Sequence, residues 1–311
     1  MKNLRNAFLI TMLLAAVPAL HATEGVDQYP NGAENWQSAH LPPAGFYLVN
    51  YSFYYAGQLR DATGGKASPG GSTPSVSALA DGMRAVWMTG KKPLNADFGM
   101  CAVFAAVDQN VNLNGSRSTK GMADIALDPL VLSWHTANWH LATAMEVLAP
   151  TGRFDKNDPR LTLGTNYWSY QPIFGFTYLP KSGWEASAKF MYNVNTANPS
   201  THYKSGQDFH VDYLAGKHVG RWALGASGYV YKQFTPDTSA GQTVAAVPGM
   251  FSSGREGQAL AVGPSVRYES KSHVGFIAQW NHETLVKNRF GGDKLLFKMI
   301  VPMTWARGFR L

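Results

Sequence analysis

The chain has 311 residues, is 45% hydrophobic and 13% aromatic, and carries a formal net charge of +7. Its single cysteine excludes an intramolecular disulfide, and no stretch after the N-terminus offers the ~18 consecutive apolar residues of a transmembrane helix. The basic residues are scattered and form no run, so we expect no nucleic-acid partner.

The N-terminus has the pattern of an export signal. Lys2 and Arg5 precede an apolar stretch over 7–16, and small residues follow it up to Ala22. This stretch is too short for the ~20 residues of a membrane anchor, so we predict a cleaved signal peptide over 1–22. Residues 23–44 show no periodicity. They form either a periplasmic arm or a plug inside the domain that follows, with Trp36 as the anchor of the plug.

The rest of the chain alternates between apolar and polar residues. In WEASAKFMYNVN, over 184–195, every second residue from Trp184 onward is apolar or aromatic, and nearly all residues between them are polar. The same period of two runs through 138–147, 208–215 and 260–269. Side chains alternate across a strand, so these segments are strands with one apolar and one polar face.

Two architectures fit such strands: a soluble sandwich with its apolar faces inside, and an outer-membrane barrel with its apolar faces in lipid. The strands run for about 10–13 residues, which suits tilted membrane spans. Aromatic residues cluster at the predicted strand ends, as interfacial girdles require. The girdle candidates are Tyr47, Tyr54, Tyr55, Trp87, Trp134, Trp139, Trp168, Tyr170, Trp184, Trp222 and Trp280.

The connections between strands alternate in length, which favours the barrel because such barrels have short periplasmic turns and long external loops. The long connections are 59–77, 110–121, 150–164, 197–206, 235–257 and 285–292, and the short ones lie around 91–95, 136–137, 180–183, 217–220 and 270–272. We therefore predict an all-β fold, a transmembrane antiparallel β-barrel of about 12 strands over 45–303.

The stretch GMADIALDPLVLSWH, over 121–135, places carboxylates among apolar residues. Asp124 and Asp128 share one face of the predicted strand. Pro129 cannot donate to the sheet ladder, so we predict a bulge there. A register slip of one residue would turn both carboxylates into lipid, and we expect them to point into a wet lumen.

Many ionisable side chains lie on the polar faces of the predicted strands. They form either a charged constriction on the path of a solute or a network of ion pairs that solvates a narrow interior. These residues are Asp124, Asp128, His140, Glu146, Glu185, Lys189, Asp208, His210, Asp212, Arg267, Glu269, Glu283, Lys294 and Lys298.

Catalysis and metal binding have less support in the sequence. His135 and His140 have no serine at a convincing partner position, which a lipase barrel would need. Asp208, His210 and Asp212 share a strand face, but alternate residues stand about 6.5–7 Å apart and need neighbouring strands to hold an ion. We expect no catalytic residue, no metal and no other cofactor.

The longest predicted loop, 235–257, carries four apolar residues. They either catch an apolar solute outside the barrel or pack the loop against the barrel mouth. These residues are Val244, Val247, Met250 and Phe251. After the last predicted strand, the tail over 304–311 is either a periplasmic overhang or an assembly signal through Trp305 or Phe309.

Six segments match, in the same order, those of one protein family. They are HLPPAGFYLVNY (40–51), GMADIALDPLVLSW (121–134), LAPTGRFD (148–155), LGTNYWSYQP (163–172), YNVNTANPSTHYKSGQDFHVDY (192–213) and AVGPSVRY (261–268). In these segments the chain resembles the meta-pathway phenol-degradation family of outer-membrane proteins, which includes transporter-like barrels of the sphingosine-induced type. The resemblance implies a barrel linked to uptake of hydrophobic or aromatic compounds, and the family offers no catalytic residue to carry over.

The sequence thus predicts a channel or transporter in the cell outer membrane for passive uptake of small hydrophobic, aromatic or lipid-like amphiphilic compounds. The alternatives are a non-transporting envelope or adhesion barrel and a lipid-modifying enzyme. The expected partners are outer-membrane lipid and lipopolysaccharide, a small hydrophobic solute and the barrel-assembly machinery. The oligomeric state stays open.

Overall fold

Consecutive strands pair antiparallel, and the last strand pairs with the first. The structure is a computed structural model that describes residues 28–303. Phe46 lies opposite Met303 and Arg60 lies opposite Arg289, so the sheet closes on itself. A closed sheet has no free edge, which is the condition for strands to cross a membrane.

Within residues 28–303, the chain forms sixteen strands and four single-turn 3-10 helices. The strands are β1 (Gly45–Arg60), β2 (Ser75–Met88), β3 (Asp97–Asn112), β4 (Ser116–Met122), β5 (Ile125–His135), β6 (Trp139–Ala149), β7 (Ser169–Tyr178), β8 (Trp184–Asn195), β9 (Tyr203–Lys204), β10 (Asp208–Val219), β11 (Trp222–Gln233), β12 (Thr238–Ser239), β13 (Gln242–Thr243), β14 (Gln258–Glu269), β15 (Gly275–Lys287) and β16 (Arg289–Met303). The helices are Pro69–Gly71, Pro93–Asn95, Pro159–Leu161 and Ser253–Arg255.

None of the helices in this described part is long and apolar enough to cross a bilayer. The predicted signal peptide over 1–22 and the tail over 304–311, with Trp305 and Phe309, lie outside the described residues.

The barrel wall has twelve strands, as the sequence predicts. The closed sheet contains 13 elements, but β4 and β5 both pair with β3, one after the other along its length. They are two parts of one strand, interrupted at residues 123 and 124. The short strands β9, β12 and β13 form a separate small sheet in the loops.

Exposure along the strands is the reverse of that in a soluble protein. On β16, Phe297 is 46% exposed and the next residue, Lys298, is 2% exposed. The same contrast holds on β5, where Leu127 is 41% exposed and Asp128 is 0% exposed. Apolar side chains therefore face outward to lipid and polar ones face the lumen, which confirms the predicted barrel and excludes the sandwich.

The two ends of the barrel differ in the length of their connections. One end, the short-turn end, carries the connections 89–96, 136–138, 179–183, 220–221 and 270–274. The other end, the long-loop end, carries 61–74, 150–168, 196–207 and 234–257. In barrels of this kind the short turns face the periplasm.

Two predictions of long loops are wrong, those for 110–121 and 285–292. Strands β3 and β4 continue through the first with a turn at 113–115, and only Asn288 separates β15 from β16 in the second. Outward residues of the β3–β4 extension are largely polar, as in the ion pair of Asp108 with Lys120. The strands extend past the apolar band into water, so the pairing continues where the apolar alternation has stopped.

The predicted bulge at Pro129 is confirmed. The register between β5 and β6 shifts between Leu127 and Leu130, and the register between β3 and β5 shifts at the same level. Leu127 and Leu130 both remain exposed on the outer surface, and Asp128 remains inside. The bulge keeps the apolar side outward across a proline that cannot pair.

Aromatic girdles are present, but two predicted members do not belong to them. Phe46 and Trp87 stack on the outer surface near the short-turn end, with ring centroids 5.5 Å apart. Tyr47 and Tyr55 instead face the lumen, where the Tyr55 hydroxyl donates to Glu283 (2.9 Å). A position near a strand end predicts a girdle residue only when the register also places it outward.

One outward group departs from the apolar pattern. Asp81 on β2 accepts from Asn50 Nδ2 (2.9 Å) and Ser52 Oγ (2.9 Å), both on the outer face of β1. The three side chains satisfy each other, which lowers the cost of a carboxylate on the lipid side.

Candidate functional site

The N-terminal segment, residues 28–44, runs through the lumen. Gln28 Nε2 donates to Asp124 Oδ2 (3.3 Å) near the long loops. At the short-turn end, Ser133 Oγ donates to the carbonyl of Ala39 (3.0 Å). Most side chains between these two points are buried. The segment therefore passes from one end of the lumen to the other before β1 begins.

Asp212 on β10 receives the first turn of the segment. Its carboxylate accepts from the Tyr29 hydroxyl (2.8 Å) and from the N–H groups of Gly32 (2.6 Å) and Glu34 (3.1 Å). An irregular segment has no ladder partners, so this carboxylate supplies the acceptors that a sheet would. Gly32 has a φ of +83°, and a Cβ there would lie 2.9 Å from the Tyr229 ring, so the position requires glycine.

Strands β7 and β8 hold the later part of the segment in the same way. The N–H of Gln37 donates to Glu185 Oε1 (2.6 Å), and the N–H of Ala39 donates to Thr177 Oγ1 (3.2 Å). With the two on Asp212, four backbone N–H groups of the segment end on inward side chains of β7, β8 and β10. We call the inward face of these three strands the polar wall.

The Glu34 side chain enters a cluster of buried charges. Arg84 Nη1 and Lys298 Nζ donate to its carboxylate at 3.0 and 2.8 Å, and the Tyr51 hydroxyl donates to it as well. Arg84 Nη2 also donates to Asp128 (2.7 Å). Two carboxylates and two cations balance, and removing one partner would leave an uncompensated buried charge.

Lys189 and Glu146 lie beside this cluster. Lys189 Nζ is 4.5 Å from the centre of the Tyr29 ring and 3.4 Å from its hydroxyl oxygen. Glu146 is buried close to Asp128 and Lys189. The predicted lumen residues on several strands therefore meet around the N-terminal segment.

Trp36 occupies a socket in the lumen wall. Its Nε1 donates to Ser265 Oγ (2.7 Å), and its ring packs in a cluster with Leu214 and Ile277. A Cβ on Gly216 would lie 2.5 Å from the ring, so a larger residue there would displace the indole. The glycine and the hydrogen bond together fix the ring.

The inward face of β1 has a different character from the polar wall. Leu296 on β16 packs into the same cluster as this face, together with Tyr29 and Ala33 of the segment. We call the inward face of β1 the aromatic wall. Its successive inward residues form an unbroken apolar and aromatic row: Tyr47, Val49, Tyr51, Phe53 and Tyr55.

Several predicted lumen residues fasten loops or neighbouring strands. Asp124 accepts from the N–H groups of Gly152 (2.8 Å) and Thr165 (2.8 Å), which ties the 150–168 loop to the barrel. Glu283 accepts from the Tyr229 hydroxyl (2.7 Å) as well as from Tyr55.

Other predicted residues make pairs along the lumen. The Asp208 carboxylate contacts His210 Nε2, and Lys294 Nζ donates to the carbonyl of Asn31 (2.7 Å). Arg267 Nη2 donates to Glu269 Oε2 (3.1 Å) at the short-turn end, beside a cavity of about 240 Å³. These contacts are those of a hydrogen-bonded network.

The apolar residues of the 234–257 loop pack against the barrel mouth. Met250 is 3% exposed in a cluster with Leu59 and Ala67 at the rim. Val247 and Phe251 pack on the cluster, whereas Val244 is held through its backbone, whose N–H donates to the carbonyl of Asp237 (2.9 Å).

Asp237 anchors this loop from below. Its carboxylate accepts from the N–H of Gly206 (2.8 Å), from Gln233 Nε2 (2.8 Å) and from the Tyr203 hydroxyl. Burial raises the pKa of the Asp237 carboxyl to about 6 in spite of these donors.

Three histidines meet at the short-turn end. His135 Nδ1 lies 2.9 Å from His140 Nδ1, and the His40 ring stacks on that of His140 with centroids 3.8 Å apart. Burial, together with the neighbouring His140 and His135, lowers the pKa of His40 to about 4.

The same corner contains a serine and a carboxylate, but not a catalytic triad. Ser133 Oγ lies 3.2 Å and Asp97 Oδ2 lies 3.6 Å from the same His135 nitrogen, Nε2. A triad needs the serine and the carboxylate on opposite nitrogens of the histidine. Ser133 is also 0% exposed and donates to Ala39, so it is not placed to attack a substrate.

Sequence reasoning missed Glu34, Arg84, Tyr51 and His40. Arg84 and Tyr51 alternate in phase with other inward residues, so the period of two could have found them. Glu34 and His40 lie in the aperiodic stretch before β1, where no pattern indicates a lumen position.

Comparisons with known proteins agree with this barrel. The structure resembles the COG4313 outer membrane channel from Pseudomonas putida F1, with a TM-score of 0.68 and 14% identity over 89% of this chain and 100% of that chain. It also resembles the translocator domain of the autotransporter NalP from Neisseria meningitidis, with a TM-score of 0.50 and 10% identity over 85% and 91%. No curated protein matches the sequence. The sequence profile of one family covers residues 56–299, and the chain therefore belongs to the family described as "Putative MetA-pathway of phenol degradation".

Proposed function

We propose that this protein is an outer-membrane channel for passive uptake of small hydrophobic, aromatic or lipid-like amphiphilic compounds, and that its N-terminal segment is the gate. The observation that carries the proposal is the aromatic wall. Its row from Tyr47 to Tyr55 lies inside a barrel whose other inward faces also carry many buried polar and charged residues. A watery, charged lumen needs no such row, whereas an apolar solute needs a continuous surface to follow.

The N-terminal segment is the proposed gate because it fills the lumen beside the aromatic wall. The segment covers the aromatic wall with Tyr29 and Ala33 and is held by hydrogen bonds, not by covalent links or strand pairing. Such contacts can be exchanged one by one, so the segment can shift without disrupting the sheet. The proposed path opens along β1 when the side chains of the segment leave that wall.

The similar Pseudomonas putida protein is described as an outer membrane channel, which supports the same role here. The proposed location is the outer membrane, with lipid and lipopolysaccharide around the apolar belt. Export through the signal peptide over 1–22 and insertion by the barrel-assembly machinery belong to the same proposal. The lumen charges then serve to hold the gate.

Uptake of N-phenyl-1-naphthylamine, a dye whose fluorescence rises in lipid, tests the proposal in cells with intact lipopolysaccharide. We expect faster uptake when the full chain is expressed, and faster still with Glu34→Gln, which weakens the hold on the segment. Glu269→Gln is the matched control, because the ion partners of Glu269 are Arg267 and His273 at the rim. Equal amounts of folded barrel are verified by heat-dependent gel mobility.

The proposal fails if neither the full chain nor Glu34→Gln raises uptake of the dye or of a panel of phenols and long-chain amphiphiles. A non-transporting envelope barrel would then be the better description. For a lipid-modifying enzyme, the arrangement of Ser133, His135 and Asp97 offers no competent triad.

A further inference from the structure

We infer that His40, His135 and His140 bind one divalent transition-metal ion, which ties the N-terminal segment to the mouth of the barrel. His135 and His140 are directly opposed across the β5–β6 hairpin, so their side chains share a face. His40 comes from the segment. One ligand atom of each ring lies within 4.8 Å of the other two.

The ring nitrogens lie at distances that suit such an ion, which would replace the hydrogen bond between His135 and His140. Two ligands bound at about 2.0–2.1 Å to one ion stand roughly 3 Å apart, and His135 Nδ1 and His140 Nδ1 are 2.9 Å apart. His40 Nδ1 is buried and has no hydrogen-bond partner within residues 28–303. Coordination requires the stacked rings of His40 and His140 to tilt until their lone pairs converge.

Outer contacts orient the cluster. The carboxylate of Asp97 lies 3.6 Å and the hydroxyl of Ser133 lies 3.2 Å from His135 Nε2. A carboxylate on the far nitrogen is the usual support of a metal-bound histidine, because it fixes the ring and raises its basicity. Ser133 also donates to the carbonyl of Ala39, which holds the residue next to His40 in place.

The ligand type selects the ion. Three imidazoles with a fourth position for water suit Zn²⁺ and its first-row neighbours, whereas Mg²⁺ and Ca²⁺ require oxygen ligands. The ion would cross-link residue 40 to residues 135 and 140, which are distant in sequence. The proposed metal site does not depend on the proposed transport of a solute.

Calorimetric titration with Zn²⁺ tests the site in the full chain, purified without a histidine tag, folded in detergent and freed of metal by a chelator. We expect one ion per chain and no comparable binding of Mg²⁺. His40→Gln, His135→Gln and His140→Gln should each weaken Zn²⁺ binding at least about 100-fold, and Asp97→Asn about 10–100-fold. His273→Gln is the matched control, since His273 is an exposed histidine at the same end and should leave the affinity unchanged.

Visible absorption of Co²⁺ gives a second readout, because nitrogen ligation in a low-coordinate site produces bands that the aquo ion lacks. The inference is overturned if the wild type binds Zn²⁺ no better than the three histidine variants do. It is also overturned if His40→Gln keeps the full affinity while His140→Gln loses it, since the ion would then sit on the hairpin alone. Heat-dependent gel mobility confirms that each variant is a folded barrel.

Discussion

The polar wall and the aromatic wall lie on opposite sides of the barrel and make different contacts with the N-terminal segment. The polar wall binds its backbone, through Asp212, Glu185 and Thr177, and it also accepts from the Tyr29 hydroxyl through Asp212. The aromatic wall contacts its side chains, through Tyr51 and the apolar cluster with Tyr29. Backbone contacts set where the segment lies, whereas side-chain contacts decide how firmly it covers the wall that a solute would use.

Asp212→Ala should have the largest effect, because it removes the acceptor of three hydrogen bonds to the segment. We expect docking of the segment to weaken by about 3–5 kcal/mol, as for other broken buried charge contacts. Hydrogen exchange of amides 29–39, followed by mass spectrometry, measures the loss. Asp108→Ala, which breaks a surface ion pair, is the control and should leave the exchange unchanged. Unchanged protection in Asp212→Ala would show that the polar wall does not position the segment.

Glu34→Gln should have a smaller effect on docking, about 1.5–3 kcal/mol, because neutral Gln keeps an acceptor but loses its charge toward Arg84 and Lys298. The same exchange experiment should show faster exchange near residue 34 and little change near Ala39, where the hydrogen bonds to the polar wall remain. Uniform loss along the segment would contradict separate roles for the two walls.

Phe53→Ala should reduce transport of the solute while the N-terminal segment still covers the aromatic wall. Phe53 is partly buried at the edge of the apolar cluster, so docking should change by no more than about 1 kcal/mol. Dye uptake should fall, because the substitution interrupts the row that we propose the solute follows. Met83→Ala, on the outer surface of the neighbouring strand, is the control. Normal uptake in Phe53→Ala would remove the aromatic wall from the proposed path.

A change of pH should affect the packing of the 234–257 loop. Burial raises the folded pKa of Asp237 from 3.8 to about 6, so between these values the packed loop holds a proton that the opened loop releases. The packing is therefore strongest below pH 4 and weakens as pH rises toward 6. Protease nicking within 238–250 should increase over that range, and Asp237→Asn should abolish the dependence. Nicking that decreases with rising pH would contradict the predicted weakening of the loop packing.

The fold could be predicted because the bilayer imposes a period of two on every strand that crosses it. The same alternation puts Asp128, Glu146, Glu185, Asp212 and Lys298 on inward strand faces, and the structure buries these side chains. The prediction of strand ends failed where the strands extend beyond the bilayer. Strands β3, β4, β15 and β16 continue into water with polar outer faces, so the sequence there resembles loops.

The arrangement inside the lumen could not be predicted in the same way. The segment before β1 has no ladder and hence no period, so its contacts depend on three-dimensional placement. Glu34 meets Arg84 and Lys298, and His40 meets His135 and His140, across long stretches of chain. A strand pattern gives the face on which a residue lies but not which irregular residue it will meet.

Gly45, where the segment ends, also begins the strand that seals the cylinder against β16. The strand that closes the barrel and the segment that fills the lumen are therefore adjacent in the sequence. If residues 28–44 stayed outside the lumen when β1 paired with β16, the sheet would close around an unfilled lumen, through which water and small solutes could pass.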